Sequence, residues 1–226
     1  MWRSLVVIAI CVADASAAPA PCARCTLDAP HKPQAQIDTP APLVVVLHGD
    51  RESAAAATER WRPAVVKRGW VLLGLQCPTD LGCKDSFWKW DGDPSWVFDQ
   101  IAKVAAAVKI DPARIYLVGW SGGATYLGRH AQAWEAGHVA AVVFHGGGHQ
   151  PYDTACVKRL PAYFLVGDSN PLHYLMKDLR AYFDRCKQDV VWDLVRGGDH
   201  DREDRALDRV KASAILDWLD ARALVR

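Results

Sequence analysis

A serine set among glycines carries the strongest chemical signal in the sequence. Ser121 lies in Gly119-Trp-Ser-Gly-Gly123, after the apolar run 115–118 and before a helix-like segment. Small residues permit a sharp strand-to-helix turn, which holds the hydroxyl at the edge of a sheet. The helix N-terminus beneath it favours a developing oxyanion. The pattern predicts a nucleophile elbow in which Gly122 N–H is an oxyanion donor; the alternative is a glycine-rich turn with an idle serine.

A second turn, Leu47-His-Gly-Asp50, follows the first apolar run of the chain. A turn at this place allows a backbone N–H to point at the same oxyanion, so we expect Asp50 N–H to be the second donor. We also expect His48 to line the substrate site. The alternative is a histidine that is packed or hydrogen-bonded within a turn that ends a strand.

A third turn, Gly197-Gly-Asp-His200, lies between the last apolar run and the last helical segment. The order of nucleophile, acid and histidine along the chain is one of the known orders for a catalytic triad. We therefore predict that His200 is the general base that takes the proton of Ser121.

The elements that must position these turns alternate between strands and helices. Short apolar runs predict strands over residues 43–47, 71–75, 115–118, 139–144, 162–166 and 190–195. Capping signals and helical spacing predict helices over residues 97–108, 122–135, 172–186 and 205–223. The alternation predicts one α/β domain over residues 43–226 with a mainly parallel sheet and no large lid.

These motifs resemble those of the α/β-hydrolase superfamily. More narrowly, they resemble small secreted esterases related to polyhydroxybutyrate depolymerases and feruloyl esterases. The matching parts are Leu47-His-Gly49, Phe87-Trp-Lys-Trp-Asp-Gly-Asp-Pro94, Gly119-Trp-Ser-Gly-Gly123 and Gly198-Asp-His200. The resemblance implies an α/β-hydrolase fold and hydrolysis of a carboxylic ester through an acyl-enzyme, with no metal and no organic cofactor.

The resemblance leaves the triad acid open. In such esterases the acid is commonly the second aspartate of Gly-Asp-x-Asp-Pro, whereas this chain has Gly167-Asp-Ser-Asn-Pro171, with Asn170 at the acid position. Asp168 could take the role after a shift of the loop, or Asn170 could orient His200 through its amide oxygen. In the third alternative the site uses another acid or is inactive. The reserve candidates are Asp153 and Asp201.

Tryptophan is unusually frequent, with 10 in 226 residues. Trp120 lies inside the elbow, and Trp88 and Trp90 cluster before it in the chain. Aromatic rings at a cleft bury area at low entropy cost and suit an acyl, aryl or sugar-bearing ester. We predict that all three contact the substrate, a small-molecule or polymeric ester; packing in the core is the alternative.

Charge and the N-terminus limit the partners and the location. A net charge of +1 argues against nucleic acid and against an anionic membrane as the main partner. A short apolar run before Ala15-Ser-Ala17 predicts a signal peptide over residues 1–17, followed by a Pro/Ala-rich lead-in over residues 18–42. The alternative is a buried N-terminal strand. We expect a secreted or periplasmic protein without a stable membrane anchor.

Six cysteines remain after removal of the predicted signal peptide, and an even number in an exported chain predicts disulfides. We favour the pairs Cys22–Cys25, Cys77–Cys83 and Cys156–Cys186. A zinc site is the alternative for Cys22 and Cys25, but no second close Cys/His pair has the usual ligand spacing.

Two classes of function fit these residues. The leading interpretation is a secreted serine esterase. The second is a non-catalytic or impaired binding protein on the same fold, which the asparagine at position 170 motivates. A serine peptidase on this fold is a third and weaker interpretation.

Overall fold

A seven-stranded sheet flanked by helices organises residues 22–30 and 39–225, which the computed structural model describes. The strands are β1 (Thr26–Asp28), β2 (Ala41–Leu47), β3 (Val71–Leu75), β4 (Ile110–Trp120), β5 (Ala141–His145), β6 (Ala162–Gly167) and β7 (Val190–Val195). They lie in the order β1-β3-β2-β4-β5-β6-β7, and each neighbouring pair is parallel except β1 with β3. The predicted α/β fold with a mainly parallel sheet is confirmed.

The apolar runs form strands because helices cover both faces of the sheet. The helices in the described chain are α1 (Ala54–Glu59), α2 (Arg62–Lys67), α3 (Ser95–Ala107), α4 (Gly122–Arg129), α5 (Ala131–Ala136), α6 (His173–Arg185), α7 (His200–Ala206) and α8 (Arg209–Asp220). Side chains of β2 alternate between two apolar clusters. Val45 belongs to the cluster that includes side chains of α3, α4 and α6, whereas Val44 and Val46 belong to the cluster that includes side chains of α1, α2 and α8. A strand that is buried on both faces is apolar at consecutive positions.

Two predicted helices are each divided in the structure. The helix predicted over residues 122–135 ends at His130, whose backbone leaves the helical region before α5 begins. The helix predicted over residues 205–223 begins only at Arg209, because the Asp208 side chain accepts a hydrogen bond from Lys211 N–H and caps α8. The first two residues of the predicted helix, 205 and 206, belong instead to the separate helix α7, which begins at His200.

The sheet also extends further than predicted at its N-terminal side. Thr26–Asp28, within the predicted lead-in, pairs with β3 in the antiparallel direction. Strand β4 begins at Ile110, since Ala41 pairs with Ile110 across a register shift. The predicted signal peptide at residues 1–17 lies outside the described residues. Among the residues that the structure describes, no helix is long and apolar enough to cross a membrane.

The three predicted disulfide pairs are present. They are Cys22–Cys25, Cys77–Cys83 and Cys156–Cys186. The last pair ties the loop after β5 to the end of α6, and Cys77–Cys83 closes the loop after β3. These cross-links restrict the unfolded chain and so favour the folded one.

Two buried histidines end strands at the carboxyl edge of the sheet. His48, directly after β2, is 0% exposed, and His145, the last residue of β5, is 2% exposed. Burial lowers the pKa of both because it disfavours the charged imidazolium, and it lowers the pKa of His145 from 6.5 to about 4. Both histidines are therefore neutral in the folded protein at neutral pH.

We expect the free energy of unfolding to fall as the pH drops from 6.5 towards 4, because the unfolded chain protonates residue 145 in this range and the folded chain does not. A His145→Gln variant keeps a donor for Glu203 C=O but takes up no proton. Its loss of stability over the same range should be smaller by up to about 3 kcal/mol. Urea unfolding at about pH 7 and about pH 4.5 measures this difference. An equal loss in both proteins would contradict the assignment.

Candidate active site

The elbow around Ser121 has the backbone geometry that the sequence predicts. Ser121 has φ 51° and ψ −113°, a left-handed conformation between β4 and α4. Its N–H donates to His145 C=O at 2.9 Å. A Cβ on Gly123 would lie 2.5 Å from the carbonyl oxygens of Leu47 and His48, so only glycine lets α4 approach β2 this closely. A strained residue held this firmly is typical of a nucleophile.

His200 meets the serine at the same edge of the sheet. Its Nε2 lies 2.9 Å from Ser121 Oγ, within hydrogen-bonding distance. The histidine begins α7, which is capped by Asp199, whose side chain accepts from Arg202 N–H. The cap fixes where the helix begins, and therefore where the imidazole stands relative to Ser121.

The acid beside His200 is Glu203, a residue that the sequence reasoning did not name. Its Oε2 lies 2.9 Å from His200 Nδ1, and its side chain is 0% exposed. The two residues are three apart on α7, a spacing that places them on one face of the helix. A buried carboxylate accepts a hydrogen bond from Nδ1–H, which holds the proton on Nδ1 and leaves Nε2 free to accept the proton of Ser121.

Glu203 is held by two further donors from the end of β6 and the loop after it. Its Oε1 accepts from Gly167 N–H at 2.5 Å, and its Oε2 accepts from the Asn170 amide at 2.6 Å. With His200 Nδ1, three donors surround a carboxylate that has no exposed surface. These hydrogen bonds offset the cost of removing the charge from water.

Asn170 is therefore close to His200, but not in the predicted way. Its Oδ1 accepts from Leu172 N–H at 2.8 Å, so its Nδ2 is the atom that points towards Glu203. When His200 Nδ1–H donates its hydrogen bond to Glu203, the 3.3 Å separation between Asn170 Nδ2 and His200 Nδ1 lies between two donors and is not a hydrogen bond. The amide oxygen does not face the imidazole, and Asn170 contacts the histidine mainly through the glutamate.

The other acids proposed from the sequence lie elsewhere. Asp168 is exposed, and its Oδ1 accepts from Gly197 N–H at 2.5 Å; the structure gives it no hydrogen bond to His200. Asp153 accepts from Ala155 N–H, and Asp201 is exposed on α7. A usable signal was present in His200-x-x-Glu203 at the start of a helix, but the predicted helix began at residue 205 and did not include it.

Trp120 is half-buried and packs against the histidine, and its predicted contact with the substrate stays a prediction. Its indole stacks on the His200 ring with centroids 4.4 Å apart and planes 6° apart. A Cβ on Gly146 would lie 2.3 Å from this indole, and one on Gly49 would lie 2.5 Å from it. Backbone from two loops thus fixes the tryptophan, and the tryptophan fixes one face of the imidazole.

Arg60 connects two parts of the site. One is the turn at residues 47–50, which holds a predicted oxyanion donor and is called the oxyanion turn below, and the other is α7. The Arg60 guanidinium contacts Glu52 at 2.6 Å and Asp204 at 2.5 Å, and lies 5.2 Å from the centroid of the Trp120 ring. Glu52 also accepts from Gly49 N–H at 2.9 Å. The network links the loop after β2 with the helix that carries His200 and Glu203.

The oxyanion turn is built on His48, which differs from its predicted role in binding substrate. His48 Nδ1 donates to Gly49 C=O at 2.6 Å, and its Nε2 accepts from Cys77 N–H at 3.0 Å. Both ring nitrogens are used within the buried interior, so the ring shapes the turn. The Asp50 side chain lies against Gly122, so the two residues whose N–H groups are the predicted oxyanion donors are neighbours in space.

The two remaining tryptophans differ in exposure. Trp88 is 6% exposed, and its Nε1 donates to His48 C=O at 2.7 Å. Its side chain therefore holds the turn after β2 from the protein interior and does not line an open cleft. Trp90 is 40% exposed and remains available to a substrate. Within residues 22–30 and 39–225, no group of three or more His, Cys, Asp or Glu side chains could hold a metal ion.

Solved structures of esterases and other hydrolases match the fold of this chain. No protein-family model and no curated protein matches the sequence. A thermostable esterase superposes on 88% of this chain with a TM-score of 0.63 and 19% identity. This chain covers 59% of that esterase, less than two thirds of its length.

Two further structures are matched over most of their own length. A carboxylesterase from Bacillus cereus superposes on 88% of this chain and 93% of its own, with a TM-score of 0.59 and 14% identity. A fluorophosphonate-binding serine hydrolase from Staphylococcus aureus superposes on 86% of this chain and 91% of its own, with a TM-score of 0.61 and 11% identity. The chain therefore has the α/β-hydrolase fold.

Proposed function

We propose that this protein is a serine hydrolase that cleaves carboxylic esters through an acyl-enzyme. One observation carries the proposal: a continuous hydrogen-bond chain runs from Ser121 Oγ through His200 to the buried carboxylate of Glu203, with both contacts at 2.9 Å. In this proposal Ser121 is the nucleophile, His200 is the general acid and base, and Glu203 is the triad acid.

The geometry supports a two-step reaction. Ser121 Oγ attacks the ester carbonyl and gives its proton to His200 Nε2, while Glu203 stabilises the imidazolium through Nδ1. The backbone N–H groups of Asp50 and Gly122 donate to the oxyanion. Collapse breaks the bond to the alcohol, which takes the proton from His200. Water then repeats the sequence on the acyl-serine and releases the carboxylic acid.

The names of the structural neighbours, among them two esterases and a serine hydrolase, support this reaction class. Three disulfides support export to an oxidising compartment. The substrate in this proposal is a small-molecule or polymeric ester that reaches an open cleft. The binding-protein interpretation was motivated by the lack of an acid at position 170. Because Glu203 provides a carboxylate beside His200, this motivation no longer applies.

Ser121→Ala tests the nucleophile. We expect the mature, oxidised protein to hydrolyse p-nitrophenyl acetate and butyrate and to be labelled by a fluorophosphonate, because Ser121 Oγ has a base at hydrogen-bonding distance. The variant should lose the labelling and at least about 10³-fold in kcat. Equal turnover by the two proteins would place the activity elsewhere.

Glu203→Gln tests the acid. Glutamine has the same shape, but its neutral amide neither favours the required tautomer nor stabilises the imidazolium, so we expect kcat to fall by about 10⁴-fold. Asp168→Asn is the matched control, since Asp168 is exposed and bonds to Gly197 N–H; its kcat should change by less than about threefold. A large loss in Asp168→Asn with little loss in Glu203→Gln would exchange the two roles.

Asn170→Asp tests whether the site has room for one carboxylate or two. The new acid would lie beside Glu203 Oε2, now 2.6 Å from the Asn170 amide. Two carboxylates this close cannot both ionise without a large cost, so we expect lower activity near neutral pH rather than a gain.

A double variant separates this effect from damage to the fold. Asn170→Asp combined with Glu203→Gln returns the total to one carboxylate within reach of His200 Nδ1. We expect the double variant to exceed Glu203→Gln in kcat by at least about tenfold. The absence of any rescue would show that only position 203 can hold the acid.

A further inference from the structure

The side chain of Asp50 occupies an unusual place beside the oxyanion turn. A Cβ on Gly122 would lie 2.2 Å from Asp50 Oδ1 and 2.5 Å from Oδ2. The whole carboxylate therefore rests against the residue that follows the nucleophile, where any side chain at position 122 would otherwise lie. In the proposed mechanism, the backbone N–H groups of these same two residues bind the oxyanion.

Few groups of the protein stabilise the negative charge of the Asp50 carboxylate. Its Oδ1 accepts from Trp88 N–H at 3.0 Å, while Oδ2 accepts no hydrogen bond from a described residue, and no cation within the described chain pairs with it. The neighbouring Arg51 places its guanidinium 5.1 Å from the Phe87 ring centroid instead. Burial raises the pKa of Asp50, and the Trp88 N–H and Arg51 oppose this effect only in part.

A negative charge in this position opposes the proposed reaction on a neutral ester. The oxyanion develops between the two amides, so its charge and that of Asp50 repel each other. Two like charges roughly 5 Å apart near a protein surface change a rate on the order of 10²-fold. A cation in the substrate that meets the carboxylate would remove this penalty and add an attraction that strengthens as the oxyanion forms.

We propose that Asp50 selects esters that carry a cationic group close to the scissile carbonyl. This inference rests on the proposed esterase function and adds a substrate class to it. The Asp50 carboxylate binds the cation, its backbone N–H binds the oxyanion, and the Trp88 N–H holds the carboxylate in place. Asp50 thus has a role in specificity in addition to the role of its backbone.

Pairs of isosteric esters test the charge directly. Acetylthiocholine and 3,3-dimethylbutyl thioacetate differ in a cationic nitrogen on the alcohol side. The p-nitrophenyl esters of 4-(trimethylammonio)butyrate and 5,5-dimethylhexanoate differ in the same way on the acyl side. The quantity compared is the ratio of kcat/KM for the cationic ester to that for its neutral partner, which does not depend on the fraction of active protein.

Asp50→Asn is the variant to compare with the wild type, because asparagine has the same size and keeps an oxygen for Trp88 N–H. We expect the ratio to fall at least about tenfold in Asp50→Asn for one of the two pairs, with faster turnover of the neutral ester. Asp168→Asn removes an exposed carboxylate from the loop after β6 and should leave both ratios unchanged, which controls for the overall field of the protein.

The possible outcomes separate this inference from the function on which it rests. Hydrolysis of the esters with unchanged ratios in Asp50→Asn would overturn the role of Asp50 and leave the esterase proposal intact. Equal decreases in Asp50→Asn and Asp168→Asn would also overturn it, because net charge alone would then explain the preference. If the wild type hydrolyses none of these esters and Ser121 resists the fluorophosphonate, the esterase proposal fails, and this inference fails with it.

Discussion

The site depends on one buried carboxylate. Glu203 has no exposed surface, so its charge must be balanced by donors inside the protein. Gly167 N–H, the Asn170 amide and His200 Nδ1 supply three of them, all within 2.9 Å. Two of these donors come from the end of β6 and its loop, and the third comes from the start of α7. The carboxylate therefore fixes the loop after β6 against the helix that carries the histidine.

The same constraint explains the asparagine at position 170. The carboxylate of Glu203 enters from α7 and fills the space next to His200 Nδ1, so a second acid in the loop would place two negative charges in one buried volume. An amide in this place gives its N–H to Glu203 and its oxygen to Leu172 N–H. The asparagine at a position where the resembling esterases have an acid is thus explained by a carboxylate from another element, and it is no sign by itself of a lost site.

A second network connects the two halves of the site. Arg60 pairs with Glu52, which holds Gly49 N–H of the oxyanion turn, and with Asp204, which follows Glu203 on α7. Its guanidinium also lies over the indole of Trp120, and that indole stacks on His200. A displacement of the oxyanion turn would therefore disturb the histidine, because packed rings and paired charges connect the two.

The sequence by itself determined the parts that local pattern controls. The consecutive apolar positions of the strands, the glycines around Ser121 and the turn before His200 each depend on neighbours in the chain, and each could be read there. Tertiary structure alone decided which carboxylate lies beside His200, because two of the three donors to Glu203 come from the end of β6 and its loop, which are distant in sequence. A His-x-x-Glu spacing on a helix is usually only a solvated pair. Tertiary structure also decided the positions of His48 and Trp88, which the sequence assigned to the cleft. Burial depends on what packs above a side chain, and no residue type or spacing reports that.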